Sequence, residues 1–336
     1  MHGDRINFKD AVSPIQEICD ALDNMGSDFM SHTIMAMAHA FPEYHRKCYS
    51  VADMIISEIM RAIDFEYQEE CQFDCVECMS GKGELRKAVV QRGLRAVGLD
   101  KKYACQEQDM TTQEGFRTFL LALRRLRRHG LWWMAPECTT WIWIGRFQTG
   151  RHKNIEGYDH VPAVQDANIV RDRVCLLALI CYWSCRDFIA EQPNSTVIHV
   201  STPFLHMMQM TRANSICTEH GAFSEHVDGF CRIDSSRKPL KLMGTAPWML
   251  QLTRTCRTRR TYGTLYTQRV DQSTGKRRVD GKKKELEESE HYSVEFGKEV
   301  ARCLATHLIE MDLKAFERLN HAVIDESSVT VCGSSV

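Results

Sequence analysis

Hydrophobic positions recur at two different spacings along this chain, and the spacing changes near residue 73. Before it, Ile15, Ile18, Cys19 and Leu22 repeat at helical intervals, as do Val51, Met54, Ile55, Ile59 and Ala62. Residues 1–70 therefore read as helices parted near Pro42. From Phe73 onward, short apolar runs alternate with amphipathic stretches. Phe73–Met79 predicts a strand, Ser80–Gly83 a turn, and Glu84–Arg92 a helix with Leu85, Ala88 and Val89 inward. Ala96–Asp100 predicts a second strand, which completes a βαβ unit. The pattern continues as helix Gly115–Arg128, strand Leu131–Ala135, helix Val164–Arg186 and strand Phe188–Ala190. Helix Pro203–Thr211 and strands Ser215–Phe223 and Leu240–Ala246 follow.

Strands alternating with helices imply an α/β fold, doubly wound, with a mostly parallel sheet covered on both faces. The chain then divides into a helical N-terminal segment, 1–70, an α/β domain, 71–252, and a basic C-terminal extension, 253–336. The extension ends in an amphipathic helix over Val294–Leu319.

Composition narrows the setting. The 336 residues are 43% hydrophobic, enough for an ordinary core without staples. The net charge of -1 provides no general attraction to polyanions, so any basic surface must be local. Fifteen scattered cysteines, an odd number, read as thiols in a reducing compartment, nucleus or cytoplasm. No run of 18 apolar residues predicts a membrane span, and no secretory apolar region follows Met1.

The candidate chemistry sits at strand ends. Ser80-Gly-Lys-Gly83 joins a strand to a helix, where glycine lets the backbone approach a ligand and the helix offers unpaired N–H groups. Asp100 ends the next strand, the place from which a carboxylate can grip ribose hydroxyls. The glycine pattern stops there, since position 86 is Arg where a dinucleotide fingerprint would have a third glycine. Gln108-Asp109-Met110 places a carboxylate beside an apolar side chain, which suits either an adenine or the cap of the next helix. Pro136-Glu-Cys138 and Glu191-Gln-Pro193 each follow a strand, so both face the mouth of the sheet. A thiol and a carboxylic acid there suit attack on a pyrimidine: Cys138 as nucleophile, Glu191 as acid.

Taken in order, these motifs and Arg237-Lys-Pro-Leu240 resemble DNA (cytosine-5) methyltransferases, especially compact, divergent members, over about residues 76–252. The resemblance implies a Rossmann-like methyltransferase fold, S-adenosyl-L-methionine as cofactor and DNA, or else RNA, as partner. It implies that Ser80, Gly81 and Gly83 line the methionine part of the cofactor, that Asp100 holds the ribose and Asp109 the adenine. Cys138 and Glu191 would do the chemistry. Departures are visible: Pro-Glu-Cys-Thr stands where the family has Pro-Pro-Cys-Gln, and no large target-recognition insert is present. Glu137 beside Cys138 disfavours a thiolate if its carboxylate points inward. The alternative is a methyltransferase-like fold without catalysis, serving to bind nucleic acid or protein.

Three further features bear on partners and metals. Arg257, Arg259, Arg260, Lys282 and Lys283 belong to basic runs that suit phosphates or, with the glutamates that follow, a solvated surface. Cys75 and Cys78 fall three apart on a strand, face opposite sides and so make no metal site. Trp132, Trp133, Trp141 and Trp143 surround Cys138, and packing in the core is favoured for them over stacking on a base.

Overall fold

The computed structural model describes residues 71–142, 145–223, 239–256, 266–270, 273, 277–281 and 292–329. The helices expected in residues 1–70 lie outside that range. The first strand, β1 (Phe73–Cys78), leads through the glycine turn into α1 (Glu84–Gln91) and back to β2 (Ala96–Leu99). A short α2 (Lys101–Ala104) and a 3-10 turn precede α3 (Gln113–Arg124) and β3 (Leu126–Met134). The loop with α4 (Arg146–Thr149) leads to the 22-residue α5 (Pro162–Trp183), then β4 (Asp187–Pro193) and α6 (Thr202–Met210). After β5 (Asn214–Glu219) and β6 (Pro239–Gly244) comes a small hairpin, β7 (Tyr266–Val270) and β8 (Arg277–Gly281). The last element is α7 (Val294–Val329).

Six strands form one sheet in the order β2-β1-β3-β4-β6-β5. β2, β1, β3 and β4 are parallel neighbours, while β6 runs antiparallel to both β4 and β5. The chain leaves β1 in one direction to make β2 and returns past it to make β3. The strand order therefore reverses between β1 and β3, the position at which open α/β sheets form a ligand crevice.

Alternation along the strands feeds two separate cores. Val76, Cys78, Trp132, Met134, Phe188 and Ala190 face α3, α5 and α6. Cys75, Leu131, Trp133 and Ile189 face α1 and α7, with Phe296, Val300, Leu304 and Leu308 of α7 among the side chains that cover them. The C-terminal helix is thus a layer of the domain and not an appendage. His307 Nε2 to Asp187 Oδ2 (3.1 Å) and Arg254 to Glu299 (2.7 Å) tie it to the sheet side, as does Arg127 to Asp312.

The observed elements depart from the expected ones at several boundaries, and the last helix runs on to Val329. The helix expected to reach Arg128 stops at Arg124, and Leu126 already pairs with Phe73 in the sheet. Between Leu126 and Leu131 the two strands slip register, with His129 at φ 60°, so one run of arginines is strand and not helix. β4 runs on through Pro193 because β6 pairs with it to Leu240. Glu191 and Gln192 therefore lie within a strand, not past its end. The expected Ser215–Phe223 strand ends at Glu219 and turns into a short helical segment.

Candidate functional site

A cavity of about 240 Å³ opens at the β1/β3 reversal. Its wall includes Ser80, Gly81, Asp100, Asp109, Cys138 and Glu191, so six residues singled out from the sequence come together. Met79, Met110 and Val170 add apolar surface, and Lys82, Lys101 and Lys102 bring positive charge to the same wall.

The glycine turn has the conformation that its sequence predicts. Gly81 sits at φ 52° and Gly83 at φ 66°, both left-handed, where a side chain is disfavoured. Met79 also takes φ 56°, at a cost of roughly 1–2 kcal/mol for a residue with a Cβ. Strain of that kind tends to persist where the surrounding structure fixes a site. Gly83 differs from the expectation. It is the N-cap of α1 and is absent from the cavity wall, and a Cβ placed on it would meet Arg86 Nε at 3.2 Å. The arginine at position 86 lies over the third position of the turn.

Asp100 is buried, and both its oxygens hold backbone. Oδ2 accepts from Gly81 N and Oδ1 from Lys102 N, each at 2.8 Å. The same carboxylate thus shapes the turn and borders the cavity, keeping lone pairs for hydroxyl donors. Asp109 Oδ1 accepts from both Thr111 N (2.9 Å) and Thr111 Oγ1 (2.8 Å). Burial alone would raise its pKa, but these bonds and the charges of Lys101 and Arg173 outweigh it and hold the carboxyl below its ordinary value. The cap of α3 is instead Thr112, whose side chain accepts from Gly115 N. Asp109 therefore orders the loop before α3 while facing the cavity.

The two reactive motifs are clamped together. Gln192 Nε2 donates to Pro136 O, while Gln192 Oε1 accepts from Thr196 Oγ1 at 3.2 Å. The strand carrying Glu191 thereby fixes the loop carrying Cys138. That loop tightens into a turn, with Trp141 N and Ile142 N donating to Cys138 O. Glu137 is exposed, and its carboxylate accepts from Thr139 Oγ1 at 3.0 Å. Glu137 also lines the cavity, so its negative charge stands at the same wall as Cys138, where it disfavours a thiolate.

Glu191 has a neighbour that sequence reasoning missed. Tyr292, just before α7, donates its hydroxyl proton to Glu191 Oε2 at 2.9 Å and accepts from Trp133 Nε1 at 3.0 Å. Its ring packs edge-on against Trp133 and lies against Phe296. Burial, and after it the negative charge of Glu191, pushes the phenol well above its ordinary pKa, so it stays protonated. No local pattern distinguishes Tyr292 in the sequence. Only the strand-end Trp133, which needs a partner for its N–H when buried, carried a hint.

Next to Trp133 on the same face of the sheet lies Glu77, 0% exposed. Its Oε2 accepts from Arg86 N at 2.8 Å, which puts the carboxyl at the N-terminus of α1. Its Oε1 is buried without a hydrogen-bond partner among the described residues. Burial raises its pKa to about 7, only partly offset by the helix N–H groups.

Trp132, Trp133 and Trp141 are buried in the cores, as packing required, and Arg151 lies over Trp141 at 3.3 Å. Cys75 and Cys78 point into opposite cores. Arg257, Arg259, Arg260, Lys282 and Lys283 lie outside the described residues. Among the described residues, no helix is long and apolar enough to cross a membrane. Comparison with known proteins finds no matching family model, curated protein or solved structure.

Proposed function

We propose that this chain is an S-adenosylmethionine-dependent methyltransferase, with cytosine in DNA as the target that its motifs favour. One observation carries the reading: Ser80, Gly81, Asp100, Asp109, Cys138 and Glu191 line a single cavity at the strand-order reversal. The reversed strand β6 between β4 and β5 also fits the methyltransferase type of doubly wound sheet that the resemblance implies.

The residues present suit the cofactor. Gly81 leaves room for close approach, Asp100 and Asp109 offer acceptors for ribose hydroxyls and an adenine amine, and Met110 and Val170 offer apolar contact. When bound, S-adenosylmethionine supplies an electrophilic methyl group. The Cys138 thiolate would add to carbon 6 of cytosine, while Glu191 donates a proton to ring nitrogen 3. The electron pair pushed onto carbon 5 makes that carbon nucleophilic. Once carbon 5 carries the methyl, loss of its proton to solvent expels the thiolate and restores the aromatic ring, and nitrogen 3 returns its proton to Glu191.

The second reading is a binding module that has lost catalysis. It is favoured by the use of both Asp100 oxygens on backbone N–H groups. Thermal stabilisation separates the two first. At a hundred times its Kd, the cofactor should add about 2.7 kcal/mol. No shift removes the methyltransferase reading. Given a shift, transfer of a tritiated methyl to DNA, RNA and protein assigns the substrate. Cys138→Ser should abolish transfer to cytosine while keeping the shift, and an active serine variant rules out the thiolate route.

A further inference from the structure

We propose that an apolar stripe on α7 is the docking surface for the N-terminal segment of this same chain, with residues 51–62 seated as a helix on Ile309, Leu313 and Phe316. The inference stands apart from the methyltransferase reading. α7 packs under the sheet as far as Leu308, which is buried. None of residues 309–317 is buried, yet the helix runs on to Val329. On that stretch Ile309, Leu313 and Phe316 are 60%, 58% and 62% exposed. Their spacing puts them on one face, within about 10 Å of helix axis. Single apolar side chains on a surface call for no partner, whereas three aligned on one helix face form a continuous patch of the kind that a partner covers. A helix in water takes most of its stability from packing such a face.

The chain enters the described fold beside this stripe. Asp312, on the turn between Ile309 and Phe316, pairs with Arg127 of β3. Arg127 also reaches Asp74 Oδ1 at 3.6 Å, an oxygen that Arg95 holds at 3.2 Å. Arg95 in turn donates to Cys71 O at 2.6 Å. Residue 71 is thus linked through Arg95, Asp74 and Arg127 to the flank of the stripe. Upstream, Val51, Met54, Ile55, Ile59 and Ala62 recur at helical spacing, so residues 51–62 have an apolar face of their own to bury. Residues 63–70 are all that separates that face from Cys71, and a link of that length spans up to about 27 Å. Such a tether holds the segment at an effective concentration on the order of millimolar. A second copy of the chain at micromolar concentration competes poorly for the same face.

The test is amide hydrogen exchange on the full-length chain, read by mass spectrometry, with sedimentation to give the oligomeric state. The variants are Leu313→Asp with Phe316→Asp on α7, and Ile55→Asp on the segment. The two α7 side chains are exposed, so their replacement leaves the core intact, and unchanged exchange in Phe73–Cys78 verifies it. The wild type should be a monomer with residues 51–62 protected. The α7 pair of aspartates should speed exchange across residues 51–62 by about tenfold or more, because a carboxylate cannot be buried there unpaired. Ile55→Asp should speed exchange across residues 309–316 in return, since docking protects both faces at once. Unchanged exchange at residues 51–62 in the α7 variant overturns the proposal. So does a wild-type dimer that the same variant dissociates, which assigns the stripe to a second copy. A monomer with both faces unprotected also overturns it, and leaves the stripe to a partner outside the chain.

Discussion

Glu77 makes stability depend on pH in a direction opposite to that of most carboxylates. Its side chain is wholly buried between β1 and α1, with one oxygen on Arg86 N and the other without a hydrogen-bond partner among the described residues. Its folded pKa is about 7 against 4.5 for the open chain, so the native state binds the proton more tightly than the unfolded state. Stability from this group is then complete below pH 4.5 and is lost as pH rises toward 7. A difference of about 2.5 units at 1.36 kcal/mol each gives roughly 3 kcal/mol in total, of which about 2.5 kcal/mol falls between pH 5 and pH 8. Glu77→Gln keeps an acceptor for Arg86 N and cannot ionise. Urea unfolding of both proteins from pH 5 to pH 8 should show the glutamine variant gaining on the wild type steadily with pH, by an amount of that order. A constant difference across the range would refute the reasoning, because it would mean that Glu77 takes up no extra proton on folding.

Two substitutions test how the cavity is held. A Cβ on Gly115 would lie 1.9 Å from Asp109 O, so Gly115→Ala should cost about 1–3 kcal/mol by overpacking and weaken stabilisation by S-adenosylmethionine; a cofactor shift equal to wild type would disprove the link to the Asp109 loop. Phe296 of α7 is fully buried against Trp133, Phe223 and Tyr292, so Phe296→Ala should cost about 3–5 kcal/mol in chemical denaturation. A loss below about 1 kcal/mol would show that α7 is not part of the core.

The half of the fold that was legible in the sequence is the half governed by local pattern. Leu85, Ala88 and Val89 recur at helical spacing and do bury one face of α1. Ser80–Gly83 reads as a turn because only glycine tolerates φ 52° and 66° cheaply, and Asp100 falls where β2 ends beside it. What escaped depends on partners far away in sequence. The end of β4 is set by β6, some fifty residues later, and nothing in Glu191-Gln-Pro193 announces that pairing. Arg125–Arg128 carries helix-favouring residues, yet pairing with β1 pulls Leu126 into the sheet. Nothing local marks Gln192 either, yet its amide ties β4 to the loop that carries Cys138.

Tyr292 shows the same principle at the site itself, and it bears on where the domain ends. Judged by composition, the chain after Leu252 turns basic and reads as an extension. Judged by packing, Phe296, Val300 and Leu304 fill the core under Trp133, and Arg254 pairs with Glu299 on α7. The hydroxyl that holds Glu191 comes from the residues just before that helix. A cut at residue 252 would therefore uncover the α1 face, leave the Trp133 N–H buried or wetted without its acceptor, and remove the hydroxyl that donates to Glu191 Oε2. A domain drawn from motifs alone stops too early, because the motifs mark where chemistry is done and not what keeps its groups in place.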